Sequence, residues 1–285
     1  MHRHSLSRQG FTLVELSIVL VIIGLLIGGI LIGQSLISSA RINSQIQQIE
    51  QFDIAATNFK LRFRQIPGDS NLFPIARQGS ASVDNGNNNG TLYPAFVPHG
   101  TCSIYYGAES MLYFAQLSTA GMLSQKYLNG SGQAMNFAGV SFPKSPLTGG
   151  NIFVWDNNFV NGSSEIYYYV SGPKEMPPGH LGNLTGHVLS SSGMQFMTPA
   201  EAVSIDKKMD DGIANSGIVF AASWWNNGTN DQCTSPNYYP YPMDIGASTS
   251  GGANAWGGCN LTASLGVYNI ENKDRRCRLG IKARF

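Results

Sequence analysis

The stretch RQGFTLVEL, Arg8 to Leu16, holds one carboxylate, Glu15, and the eighteen residues from Leu16 to Gly33 carry no charge at all. An ionised acid at membrane depth costs about 2.5–3.5 kcal/mol on insertion scales. The chemistry that suits such a group is pairing with a cation where water is scarce, because an unpaired buried charge is costly and a paired one fixes register. Four cysteines, Cys102, Cys233, Cys259 and Cys277, form no C-x-x-C motif and no Cys/His cluster, so their spacing does not support zinc. If the apolar run is membrane-inserted, all four lie beyond it in an oxidising compartment, and two disulfides are expected, with three pairings open.

Other groups with chemical capacity have modest readings. Asp210 and Asp211 follow a helical pattern ending near Met209. The helix dipole disfavours acids there. They can bind backbone amides in a turn, pair with Lys207 or Lys208, or ligate a cation; the turn role is the favoured expectation. Asp84 is the only acid in VDNGNNNG, Val83 to Gly90, which lacks the alternating carboxylates and terminal Glu of an EF-hand. A solvated flexible loop is expected there instead of a calcium site. No metal and no cofactor are assigned to the chain.

The five histidines, His2, His4, His99, His180 and His187, show no H-E-x-x-H or related spacing. No G-x-S-x-G elbow, P-loop or dinucleotide fingerprint occurs either, and no enzymatic activity is expected. The segment Trp224 to Pro242 concentrates two Trp and three Tyr. Its rings could stack on glycans or proteins, but burial under long loops is the favoured reading. Six N-x-S/T triplets begin at Asn89, Asn129, Asn161, Asn183, Asn227 and Asn260, as chance allows in a chain so rich in Asn, Gly, Ser and Thr.

These groups need elements to position them. The chain has 285 residues, enough for one large domain or two small ones. Its net charge of +1 recruits no nucleic acid, and the charged share of 12% is about half the usual one. MHRHSLSRQG, Met1 to Gly10, contains Arg3 and Arg8 and no acid. A basic stretch before an apolar run places the N-terminus on the cytoplasmic side.

From Leu36 the pattern turns amphipathic without a break. Ile42, Ile46, Ile49, Phe52, Ala56, Phe59, Phe63 and Ile66 form one stripe at steps of four and three. No proline interrupts Phe11 to Ile66, and Pro67-Gly68 supplies the stop. The pattern predicts one helix of about 56 residues, roughly 84 Å long. Residues 11–33 would span a membrane and the remainder would lie on a protein surface. Gly24 and Gly28, like Gly29 and Gly33, are four apart, a spacing that lets apolar helices approach closely.

The basic leader, the Gly10-Phe11 junction, FTLVEL and the apolar helix resemble the class III leader of type IV pilins and type II secretion pseudopilins. The resemblance implies that a prepilin peptidase cuts between Gly10 and Phe11 and methylates the new amino terminus at Phe11. It also implies that Glu15 answers the amino terminus of a neighbouring subunit during assembly. IPGDSNL, Ile66 to Leu72, and TPAEAVSIDKKMDDGIANSGIVFA, Thr198 to Ala221, resemble segments of one group of bacterial prepilin-like proteins. The C-terminal stretch from Cys259 resembles the cysteine-closed loop of pilins, which implies Cys259–Cys277 and leaves Cys102–Cys233.

For the remainder, Thr198, Pro199 and Glu201 spell a capping box opening a helix to about Met209. A further helix is predicted over 108–119. Strands are predicted over 151–155, 165–170, 218–223, 266–270 and 279–285, with Gly/Asn/Pro loops between them. The expected architecture is α+β, with the long helix packed on an antiparallel sheet. Residues 1–10 form a leader, 11–66 the helix and 67–285 an extracytoplasmic head.

The function implied is structural: a single-pass inner-membrane subunit, head periplasmic, that passes into a surface filament with its sister subunits. A pseudopilin or minor pilin acting in secretion or DNA uptake is the alternative. A non-assembling, membrane-anchored adhesive or glycan-binding protein is the alternative of another class.

Overall fold

A computed structural model of the chain describes residues 13–76, 81–92, 109–129, 140–147, 149–150, 152–156, 165–170, 197–222, 259–262, 266–271, 273 and 277–285. Gly10, Phe11, Cys102, Cys233, Trp224, Trp225 and the five histidines lie outside them. The chain divides into two units, Met1–Arg41 and Ile42–Phe285. One helix, α1 (Leu13–Phe63, 51 residues), runs through the boundary.

In the first unit α1 exposes nearly every side chain, including Leu13, Val14, Leu16, Leu25, Leu26, Ile32 and Leu36. The helix is long and apolar enough to cross a membrane by length and composition. Hydrogen bonds within the helix satisfy its backbone, which is what a bilayer demands of any spanning segment.

In the second unit the same helix becomes one-sided. Ile42, Ile49, Phe52, Ala56 and Phe59 are buried, and Ile46, Phe63 and Ile66 pack partly buried against the same core. All eight members of the predicted stripe therefore face protein. Phe59, Phe63 and Phe73 form a ring triad with centroids 4.7–5.2 Å apart. Each buried ring contributes about 1.5–3 kcal/mol through removal from water. α1 ends three residues before the predicted Ile66. Arg64 takes φ 58°, and its N–H donates to the Lys60 carbonyl at 2.9 Å. That left-handed residue terminates the helix before proline has to.

Against α1 lie α2 (Glu109–Thr119) and a four-stranded antiparallel sheet. The sheet contains β3 (Ile152–Asp156), β4 (Ile166–Val170), β5 (Val219–Ala222) and β8 (Arg278–Lys282), in the order β3-β4-β8-β5. Phe52 of α1 meets Phe114 of α2 edge-on at 5.1 Å and Tyr168 of β4 at 6.1 Å. The layout is α+β, a long N-terminal helix with antiparallel sheets.

The strand predicted over 266–270 shortens to β7 (Val267–Tyr268), which pairs outside the main sheet with β6 (Asn260–Thr262). β6 was not predicted, nor was the pair β1 (Ile75–Ala76) and β2 (Val83–Asp84). Strands of two or three residues carry too little alternation to be read from pattern.

α3 (Pro199–Met209) opens as expected. Thr198 Oγ1 accepts from the Glu201 N–H, and the Glu201 carboxylate accepts from the Thr198 N–H.

Two ion pairs tie the C-terminal strand region to the rest of this unit. Arg284 donates through its main-chain N–H and Nε to Asp53 of α1, at 3.1 and 3.2 Å. Lys282 meets Glu165 at 2.5 Å. The Lys282 bond, then that from Tyr167, holds the Glu165 carboxyl below its ordinary value. The Tyr113 and Tyr168 hydroxyls share a buried hydrogen bond of 2.9 Å. Burial raises both phenols far above their ordinary value, so the pair stays neutral.

Candidate functional site

The residues singled out from sequence fall into separate places. Glu15 stands exposed in the first turn of α1. Gly24, Gly28, Gly29 and Gly33 follow on the same helix, and a Cβ built on any of them would touch nothing within 4 Å. Their surfaces are therefore open to an approaching helix. What this segment offers is a rod of apolar side chains with one acid near its start, suited to lipid and to other helices and to no bond-making chemistry.

The acids after α3 have taken a different assignment. Asp206, Asp210 and Asp211 bring their carboxylate oxygens within 4.8 Å of one another. Each is engaged by donors of the chain. Asp210 Oδ2 accepts the N–H groups of Ile218, just before β5, and of Val219, its first residue. Asp211 accepts from the Ile213 N–H at 2.8 Å and the Ser216 hydroxyl at 2.6 Å. Asp206, fully buried, accepts from the Gly212 N–H at 3.1 Å and the Tyr268 hydroxyl at 2.7 Å. Lys208 reaches Asn43 of α1 at 2.6 Å instead of an aspartate. Of the readings left open by sequence, the cluster follows the turn-forming one, with carboxylates replacing the missing helical partners.

Asp206 is a participant that sequence reasoning missed, and it gives a pH signature. Burial is the main cause holding its carboxyl above the ordinary value of 3.8, against the lowering by Tyr268 and Gly212. A carboxyl raised in the folded state takes up its proton more readily there than in the unfolded chain. Its stabilising effect is complete below 3.8 and is lost as pH climbs through the raised value. Asp206→Asn keeps an acceptor for Gly212, and the Tyr268 hydroxyl can turn to accept from the new amide. Thermal melts from about pH 3 to 8 should show the variant gaining on the parent as pH rises, then holding a constant advantage. A difference independent of pH would refute the assignment.

Val83 to Gly90 is exposed at six of its eight residues, as expected, but its backbone is fastened rather than loose. Asp84 is buried, and Asn129 Nδ2 donates to its carboxylate at 2.7 Å. Asn129, one of the N-x-S/T asparagines, is thereby buried in a hydrogen bond. The residues that follow wrap around Asp69 of the P-G-D turn. Asn89 N–H donates to Asp69 Oδ1 at 3.0 Å, Gly90 N–H to Oδ2 at 2.8 Å and Asn88 N–H to the Asp69 carbonyl at 2.8 Å. The Asn87 N–H donates to Glu109 at 3.2 Å. The loop thus presents donors to carboxylates, the reverse of a calcium loop, which presents oxygens to a cation.

Gln116 of α2 completes the fastening. Its Oε1 accepts from the Gly68 N–H at 2.6 Å, and its Nε2 donates to the carbonyls of Ser70 and Phe73. Gly68 has φ 91°, and a Cβ there would stand 2.4 Å from the Glu109 carbonyl oxygen. No other residue type meets both demands.

Cys259 and Cys277, the pair implied by the pilin resemblance, are disulfide-bonded and fully buried. Cys277 also exchanges backbone hydrogen bonds with Met197, just before α3. The bond therefore joins the β6–β7 hairpin to the start of β8 beneath α3. Closing a loop of this size contributes about 3 kcal/mol in the entropic account.

Against known proteins, residues 6–31 match the family model of the prokaryotic N-terminal methylation motif. No curated protein and no solved structure matches the chain. The matched segment contains the Gly10-Phe11 junction, Glu15 and all but the last two residues of the uncharged run. It leads directly into the α+β unit described above. The chain therefore carries the prokaryotic N-terminal methylation motif, which runs into its long helix and supports the likeness to type IV pilins and pseudopilins.

Proposed function

We propose that the chain is a non-catalytic structural subunit of a type IV pilus or a related filament. The observation that carries the reading is the division of α1. One unbroken helix, described from Leu13 within the matched motif, has an exposed apolar half and then continues into a half clothed by protein. A secretory signal that is cut away after its apolar run has no reason to continue as a structural helix.

On this reading a prepilin peptidase removes Met1 to Gly10 and methylates Phe11. Arg3 and Arg8 keep the N-terminus cytoplasmic, and the head is periplasmic until assembly. Subunits then leave the inner membrane by exchanging lipid for one another's helices.

Mass spectrometry of sheared surface filaments tests this. The expected result is a mature chain beginning at Phe11 with one added methyl group, as a stoichiometric filament component. A chain that keeps Met1 to Gly10 in cells with an active peptidase would overturn it.

A further inference from the structure

Two Asn-Gly pairs, Asn85-Gly86 and Asn89-Gly90, lie in the strap around Asp69. Asn-Gly is the dipeptide least hindered in cyclisation, because glycine has no Cβ to shield the attacking amide. In that reaction the glycine nitrogen attacks the asparagine Cγ and its proton passes to a solvent base. A five-membered imide closes, the Cγ–Nδ2 bond breaks and ammonia leaves. Water then adds to one of the two imide carbonyls. One opening leaves aspartate in an ordinary main chain; the other leaves isoaspartate, with one extra methylene in the main chain.

Much of what this reaction requires is present at Asn89. Asn89 and Gly90 are both exposed. Asn89 Oδ1 accepts from the Thr91 N–H at 2.9 Å and from the Thr91 hydroxyl at 2.8 Å. Those donors face the oxygen on which negative charge develops as Cγ is attacked. Among the described residues none accepts from Asn89 Nδ2, the leaving group.

The nucleophile is what the fold withholds. The Gly90 N–H is bonded to Asp69 Oδ2 at 2.8 Å, and the Asn89 N–H to Asp69 Oδ1 at 3.0 Å. The N–H groups on either side of the Asn89 Cα thus point at one fully buried carboxylate, which fixes the backbone between them. The Gly90 nitrogen can neither lose its proton nor swing toward Cγ. The other pair is held more deeply. Gly86 is buried with its N–H on the Ser70 carbonyl at 3.1 Å, and Asn85 Nδ2 donates to the Asn71 carbonyl at 2.9 Å.

We propose that Asn89 is a self-modification site gated by Asp69: closed, the strap preserves the asparagine, and open, it commits it to isoaspartate and aspartate. Isoaspartate spaces the two N–H groups too far apart for one carboxylate, and either product sets a new negative charge beside Asp69. A reversible opening therefore becomes a permanent one. The strap and Gln116 fasten the turn after α1 to α2, so the reaction would release that turn for good. None of this depends on the filament reading.

The full-length chain in detergent is incubated at neutral pH and body temperature, and residue 89 is read by electron-transfer fragmentation, which separates isoaspartate from aspartate. A synthetic peptide, Asn85 to Leu92, supplies the ungated rate. The parent is expected to react more slowly than the peptide by roughly tenfold or more, since modification tracks the open population. Asp69→Ala should bring the chain close to the peptide's rate. Gly86→Ala disturbs the same closure while keeping the carboxylate, and it should also accelerate the reaction. Mild urea tests the parent without substitution: conversion at residue 89 should rise in step with hydrogen exchange at the Gly90 amide while the amides of β4 stay protected. A parent that reacts as fast as the peptide overturns the proposal. So does an Asp69→Ala chain that reacts no faster than the parent, or more slowly, which would make the carboxylate a base for the reaction. Conversion indifferent to Gly90 exchange in urea overturns it as well.

Discussion

On the filament reading, Glu15→Ala is expected to give a chain that is cut at Phe11 and held in the membrane but enters filaments poorly. The effect should be at least tenfold in the ratio of sheared filament subunit to membrane pool, which corresponds to losing about 1.4 kcal/mol per subunit joined. The helix that bears Glu15 has an exposed surface that is apolar over the next two turns except for Ser17, whose hydroxyl bonds the Val14 carbonyl. When subunits associate, the environment of that carboxylate becomes drier, and its charge must be answered there or neutralised. On the filament reading proposed above, a neighbour's methylated amino terminus at Phe11 would supply the opposite charge at a fixed level, so the pair would select one axial register among many that apolar contacts alone would accept. Alanine removes the selection while leaving the apolar contacts. Insertion becomes easier, so the membrane pool should be unchanged or larger. Quantitative immunoblots of both fractions give the ratio, and a normal ratio would refute register-setting by this acid. Glu15→Gln separates charge from polarity: if charge pairing is what matters, glutamine should behave like alanine.

What could be read in advance followed from periodicity and from local chemistry. The eight-residue apolar stripe of α1 shows itself because helical spacing repeats over many turns, and the structure turns all eight toward protein. The capping box at Thr198 was legible because its partners are three residues apart. The sheet was legible strand by strand, although its order was not, since β8 pairs with β4 and β5 across long loops. The fastenings were hidden for the same physical reason. Arg284 meets Asp53 from 231 residues away, and Tyr268 meets Asp206 from 62 away. Neither contact belongs to a repeating pattern. The fastening of Val83 to Gly90 was not legible because composition reports the solvation its exposed residues do show, whereas the fate of a loop's N–H groups depends on which acceptor the fold brings to them. The Gly-Asp of the P-G-D turn was the available signal: an acid directly after a left-handed glycine is poised to collect backbone donors.

Asp69→Ala should accordingly be among the most damaging single changes in the second unit. The residue is fully buried, and its two carboxylate oxygens each take a backbone N–H from the strap, Asn89 on one and Gly90 on the other. Hydrogen bonds to a charged acceptor contribute about 1.5–3 kcal/mol each, and in alanine the Gly90 N–H loses its acceptor while the Asn89 N–H keeps only Asn87 Oδ1, at 2.9 Å. With some solvent reaching the strap, a loss of about 2–4 kcal/mol is expected, a large part of a domain's usual margin. Asp69→Asn retains one acceptor and turns an N–H₂ toward the other donor, so it should recover no more than about half. Gly86→Ala attacks the same closure from the opposite side, since a Cβ there would stand 2.0 Å from the Asp69 carbonyl carbon. Urea melts of the full chain in detergent measure the loss. Hydrogen exchange locates it, with the amides of Asn88, Asn89 and Gly90 expected to lose protection first. If Asp69→Ala melts like the parent and those amides stay protected, the carboxylate does not hold the strap. A global loss with no local precedence would instead mean that the strap, α2 and the end of α1 open as one cooperative unit, which the buried Gln116 bonds to Gly68, Ser70 and Phe73 would explain.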